Sequence, residues 1–87
     1  MKYMITGDLS QREVDNEIFV LNRGTGRIHS FSETGADMWR MMMKGTALEA
    51  IAEAITIDYE IDRATVEKDL DEFLTGLSAK GLVLLEQ

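Results

Sequence analysis

The stretch Ile18-Phe19-Val20-Leu21-Asn22-Arg23-Gly24-Thr25-Gly26-Arg27-Ile28-His29-Ser30-Phe31-Ser32-Glu33 carries two strands, a turn and the start of a helix. Ile18 to Leu21 is a β-branched and aromatic run ended by Asn22. Arg23-Gly24-Thr25-Gly26 supplies two glycines, the residues a hairpin loop uses where φ is positive. Arg27-Ile28-His29-Ser30-Phe31 then alternates like a half-buried strand. Ser32 is a good N-cap residue, and Glu33 suits the positive end of a helix. Within this one stretch the hydrophobic period changes from strand to helix.

Upstream, Val14-Asp15-Asn16-Glu17-Ile18 places a turn between apolar flanks. Residues 10–31 therefore read as a three-stranded antiparallel meander. Its middle strand is apolar on both faces, as a central strand requires. Downstream, Gly35, Met38, Trp39, Met42 and Met43 recur at helical spacing, and Gly45 ends that helix. Thr46-Ala47-Leu48-Glu49 has the form of a capping box and opens a second helix with Leu48, Ile51, Ala52 and Ile55 on its apolar face. Asp62 caps a third helix, whose stripe is Val66, Leu70, Phe73, Leu74 and Leu77, with Gly81 as its stop. Leu82-Val83-Leu84-Leu85 reads as a short last strand. The expected class is α+β and winged-helix-like, a three-stranded antiparallel sheet followed by three helices. One domain spans residues 1–87, with 1–9 expected to be loosely held. Gly76 stands out inside the third helix, where glycine costs about 1 kcal/mol relative to Ala. A close helix–sheet approach is the expected reason.

Composition narrows the function. The chain has 87 residues, and 16 Asp and Glu against 9 Lys and Arg give a net charge of −7. It has no Cys, no Pro and a single His. Disulfides, thiolate nucleophiles and cysteine metal sites are excluded, and a zinc cage would need an uncommon carboxylate-rich ligand set. Area scaling buries roughly 64% of the unfolded surface at this size, which allows one modest core. No apolar run approaches the ~20 residues of a membrane span, and the N-terminus lacks the apolar core of a signal peptide. The expected location is the cytoplasm.

Candidate chemistry is sparse. His29 is the only side chain suited to acid–base work near neutral pH. Ser30 and Ser32 form no triad pattern with it, and Ser30 points to the opposite face of the strand. Asp69, Asp71 and Glu72 are interleaved with Lys68, which describes a solvated helix face laced by the spacings Arg63–Glu67 and Lys68–Glu72. The Gly24-Thr25-Gly26 loop is too short for a phosphate cradle. Met41-Met42-Met43 could suggest an adaptable binding surface, but at helical spacing two of the three, with Trp39 beside them, are expected to face the core. No enzyme, cofactor or metal site emerges. What remains is an unpaired strand edge at residues 27–31, where an extended peptide could add as a further strand, beside the apolar stripe of the third helix.

The run from Phe31 through Thr34-Gly35, Met38-Trp39 and Met42-Met43 to Gly45 resembles a signature of the coenzyme PQQ synthesis protein D family. Ile51-Ala52, Ile55, Tyr59 and Ile61-Asp62 follow that family's second helix and its exit. Val66, Asp69-Leu70, Phe73-Leu74, Leu77 and Gly81-Leu82-Val83 follow its ending. The resemblance covers about residues 12–85. Ser32 stands where the family usually has Asn, and Phe31 where it has Leu. The resemblance implies a precursor-peptide recognition element: a non-catalytic chaperone that binds the leader of a ribosomally made peptide and presents it to a modifying enzyme. In PQQ biosynthesis that enzyme is a radical SAM protein. Carried onto this chain, the leader would pair with Arg27, Ile28, His29 and Ser30. Val66, Asp69, Leu70, Phe73 and Leu77 would form the helix wall.

Two other classes compete. A winged-helix DNA-binding regulator needs a basic recognition helix, yet residues 62–80 hold five acids and three bases, a net charge of −2. An adaptor dimerising through its edge strand would use the same edge as a peptide, so a monomer or weak homodimer is expected. The acidity is also uneven: residues 1–44 are neutral, and residues 45–87 carry the whole −7.

Overall fold

In a computed structural model, described over residues 1–86, the chain runs β1 (Lys2–Ile5), β2 (Leu9–Val14), β3 (Glu17–Asn22), β4 (Arg27–Phe31), α1 (Glu33–Met43), α2 (Leu48–Tyr59), α3 (Arg63–Ala79) and β5 (Val83–Glu86). Asp15 and Asn16 both take positive φ, at 52° and 66°. That is the backbone of a two-residue hairpin whose twist suits the flanking strands. It sets β2 against β3, with Gln11 opposite Val20 and Arg12 opposite Phe19. The second turn is held by Asn22, whose side-chain oxygen accepts from the Gly24 N–H at 2.9 Å and whose carbonyl accepts from the Gly26 N–H at 2.8 Å. It sets β4 against β3, with Val20 opposite His29 and Ile18 opposite Phe31. The sheet order is β2-β3-β4, the expected meander with β3 in the centre.

Ile18 and Val20 point inward and are fully buried, whereas Phe19 and Leu21 are half-buried on the outer face. The inner face meets α1 through Ala36, Met38, Trp39 and Met42. Trp39 is wholly buried, and its indole N–H donates to the Gln11 side-chain oxygen at 3.0 Å. That bond satisfies a buried donor and fixes β2 on α1. Ile51, Ala52 and Ile55 of α2 and Val66, Leu70, Leu74 and Leu77 of α3 complete the core.

Helix ends follow the expected stops more closely than the expected starts. Asp62 caps α3 by accepting from the Thr65 N–H at 3.0 Å. Gly45 and Gly81 take φ of +78° and +74° just past α1 and α3. Ser32 occupies the N-cap position of α1 but its side chain makes no capping bond. The capping box at Thr46 does not form: Ala47 is the N-cap of α2. The Thr46 backbone is drawn instead into the end of α1, donating to the Met41 carbonyl at 3.0 Å. Of the two charge pairs expected on α3, Arg63–Glu67 forms at 3.2 Å.

Residues 1–9 hold an element the sequence did not announce. β1 pairs antiparallel with β5 in a separate two-stranded sheet, so the last strand expected near residues 82–85 has a partner from the other end of the chain. The Tyr3 hydroxyl donates to the Thr46 carbonyl at 2.6 Å, which pins β1 to the α1–α2 turn. No helix is long and apolar enough to cross a membrane among the described residues.

Candidate functional site

β4 hydrogen-bonds to β3 along one side, and its other edge has no strand partner among the described residues. Alternation sends Arg27, His29 and Phe31 toward the helices and Ile28 and Ser30 to the outer face. Phe31 is buried, its ring 5.1 Å from Trp39 and 5.4 Å from Phe73, the latter edge-on at 72°. The Phe31–Phe73 contact therefore joins the end of β4 to the middle of α3. At the other end of β4, Thr25, Arg27 and His29 share a depression of about 430 Å³ with Ala79 and Lys80 at the end of α3. Strand and helix thus run antiparallel, side by side. Phe31 back to Arg27 spans about 13 Å of strand, and Phe73 on to Lys80 about 10 Å of helix. Beyond Phe73 the trough continues as a depression of about 330 Å³ between Thr34, Gly35 and Met38 of α1 and Asp69, Glu72 and Phe73 of α3.

The expected wall divides in two. Val66, Leu70 and Leu77 are core residues, no more than 4% exposed, and none of them lines either depression. Asp69 and Phe73 do face the trough. Ile28 is 68% exposed on the far side of the sheet, and Ser30 shares that side; these two can offer only their backbone to an incoming strand. Arg27 and His29 are brought together with Thr25, Ala79 and Lys80, and Phe73 and Asp69 with Thr34, Gly35, Met38 and Glu72, partners the sequence reading did not select for the wall. Helical spacing marks this second stripe as Asp69, Phe73, Gly76 and Lys80. Only Phe73 among the four is strongly apolar, so a search for hydrophobic period passes over it.

Gly76 stands about one turn from Phe73 and from Lys80, the α3 residues that line the two depressions. The close helix–sheet approach expected there is absent: a Cβ built on Gly76 meets nothing within 4 Å. The glycine leaves the trough open instead of admitting a neighbour. Gly35 is the opposite case, because its Cβ would stand 3.4 Å from the Phe73 ring.

The trough is electrically uneven. Arg27 and Lys80 flank His29, and neither makes an ion pair among the described residues. Burial, then Lys80 and Arg27, hold the His29 imidazole below its usual pKa, so it is neutral at pH 7. Its Nε2 is buried without a hydrogen-bond partner. Asp69 and Glu72 border the other end. A free edge, an aromatic floor and charges of opposite sign at the two ends suit an extended peptide.

Residues 17–83 match the family model described as coenzyme PQQ synthesis protein D, PqqD. The chain belongs to the PqqD family. Its fold is closely similar to two solved structures. The first, described as "TbiB1 in Complex with the TbiA(beta) Leader Peptide", is 32% identical, with a TM-score of 0.90 over 100% of this chain and 99% of that one. The second, described as "Lasso peptide synthetase B1 complexed with the leader peptide", is 21% identical, with a TM-score of 0.88 over 98% of this chain and 100% of that one. No curated protein matches the sequence. The PqqD fold seen here keeps the expected α+β arrangement and adds the β1–β5 pair.

Proposed function

We propose that this PqqD-family chain binds the leader of a ribosomally made precursor peptide and presents it to a modifying enzyme, itself performing no catalysis. The observation that carries this reading is the unpaired edge of β4 standing beside a trough floored by Phe73. The leader adds as a strand to β4 and lays alternate side chains against α3. Backbone pairing along a five-residue edge offers about five bonds, roughly 5 kcal/mol in total. Ordering a disordered segment costs about 2–5 kcal/mol or more. Pairing therefore roughly offsets ordering, and the trough supplies the net affinity and the choice of leader. That the 32% identical relative is described in complex with a leader peptide supports leader binding by this chain.

The family resemblance implies a radical SAM enzyme as the recipient, acting in the cytoplasm. Both structural neighbours are described as complexes with leader peptides, one of them as a lasso peptide synthetase component, and a recipient from that kind of pathway is the alternative. Co-purification with each enzyme class, with and without leader, separates the two.

Binding is tested by titrating labelled protein with the leader of a precursor encoded beside this chain. The expected result is amide shifts confined to residues 27–31 and the trough side of α3. Binding that leaves those amides unmoved would contradict strand addition. A low-salt gel shift with duplex DNA is expected to show no retardation, given the −2 charge over residues 62–80.

A further inference from the structure

We propose that the trough selects leaders carrying a bulky apolar residue followed two positions later by an acid, the first seated over Gly76 and the second between Arg27 and Lys80. This rests on strand addition at β4 and goes on to name the sequence the strand must carry.

The apolar position follows from Gly76. In the last turn of a 17-residue helix, a glycine with nothing within 4 Å of its missing Cβ loses helix stability without relieving any contact. What it leaves is open space on the side of α3 that carries Phe73 and Lys80, where a side chain from a strand lying on β4 would meet no Cβ. The acidic position follows from charge. The chain carries −7 overall, yet the depression at this end is lined by Arg27, His29 and Lys80 with no acid among its lining residues. Arg27 and Lys80 lack ion-pair partners among the described residues, so a carboxylate would displace no internal contact. The Thr25 hydroxyl accepts from the Arg27 N–H at 3.2 Å and donates to the Asn22 carbonyl at 3.5 Å, so Arg27 and Lys80 are the groups left to meet a carboxylate.

Spacing links the two positions. Gly76 to Lys80 is four residues of helix, about 6 Å. Residues i and i+2 of a strand point the same way and lie about 6.7 Å apart. Direction comes from pairing. Antiparallel addition is the better-bonded arrangement, and every strand pair described here is antiparallel. A leader antiparallel to β4 passes Phe31 first and Arg27 last, so the apolar residue precedes the acid.

The test is a displayed library of ten-residue peptides selected on the intact protein, with enriched peptides checked by amide shifts. Wild type is expected to enrich a large apolar residue, any residue, then Asp or Glu. Lys80→Glu is expected to enrich Lys or Arg at the third position. Gly76→Leu is expected to enrich Gly, Ala or Ser at the first; if it does not fold, Gly76→Ala gives a smaller change in the same direction. Replacing the selected Asp by Asn is expected to weaken binding about fivefold, the effect of two exposed ion pairs. Peptides that shift residues 27–31 but show no such preference, or the same preference on all variants, overturn this inference alone. Enriched peptides that leave 27–31 unmoved, or no enrichment, overturn strand addition and this inference with it.

Discussion

Gly76→Ala separates what the fold needs from what the trough needs. Gly76 has no positive φ and sits in α3 with open space where a Cβ would go. Alanine therefore fits without strain, and it removes the extra backbone freedom that glycine has in the unfolded chain. Glycine within a helix costs about 0.5–1 kcal/mol relative to Ala, so the gain is about that size. An 87-residue domain has an unfolding entropy of about 0.18 kcal/mol per kelvin. The melting temperature should rise by about 3–6 °C. Gly35→Ala is the control: its methyl would press on the Phe73 ring at 3.4 Å, so a smaller gain or a loss is expected. Paired thermal melts by circular dichroism, with urea midpoints, measure both. Leader affinity of Gly76→Ala should move the other way and fall. A variant that melts no higher than wild type would mean that Gly76 is packed, and the open trough floor would be refuted.

Phe73→Ala removes a half-buried ring that touches Phe31 edge-on, and should cost about 2 kcal/mol, half the usual value for a buried Phe, together with roughly tenfold in leader affinity; Phe73→Leu, measured by the same melts and titrations, should recover most of the stability. His29 is held below its ordinary pKa in the fold, so the unfolded chain binds the extra proton. Its contribution is full above about pH 6.5 and is lost as pH falls; urea midpoints from pH 8 to pH 5 should drop, and His29→Gln should flatten that drop. Tyr3→Phe leaves the Thr46 carbonyl without its 2.6 Å donor and should cost about 1 kcal/mol, read as a melt about 5 °C lower.

Most of the helical core was legible because α1, α2 and α3 each bury one stripe. Ile51, Ala52 and Ile55 mark α2, and Val66, Leu70, Leu74 and Leu77 mark α3. The site was legible only along β4, where the Gly-rich loop and alternation define an edge. α3 serves the core and the trough at once, and apolar period reports the core. Val66, Leu70 and Leu77 were therefore expected in the wall, whereas Asp69, Glu72 and Lys80 line it without a hydrophobic signature. Thr46 had the right letters for a cap, but the α1 terminus claims its backbone first. β1 escaped notice because Lys2–Ile5 is four residues long and its partner lies at the far end of the chain. A strand that short has no local evidence of its pairing.

That pairing also orders the folding process in time. Lys2 meets Glu86, so 84 positions separate the two residues. Closing a loop of that size costs roughly 2–3 kcal/mol more chain entropy than closing a short hairpin. The β2-β3-β4 meander and the helices can form from local contacts, whereas β1 must wait. On a ribosome adding about 5–20 residues per second, β1 emerges several seconds before Val83–Glu86 exists to pair with it. For that interval the nascent chain carries an orphan strand whose Tyr3 and Ile5 have no β5 beside them. The β1–β5 pair is thus expected to form last, and amide protection followed during refolding should appear on its two strands after the rest of the chain.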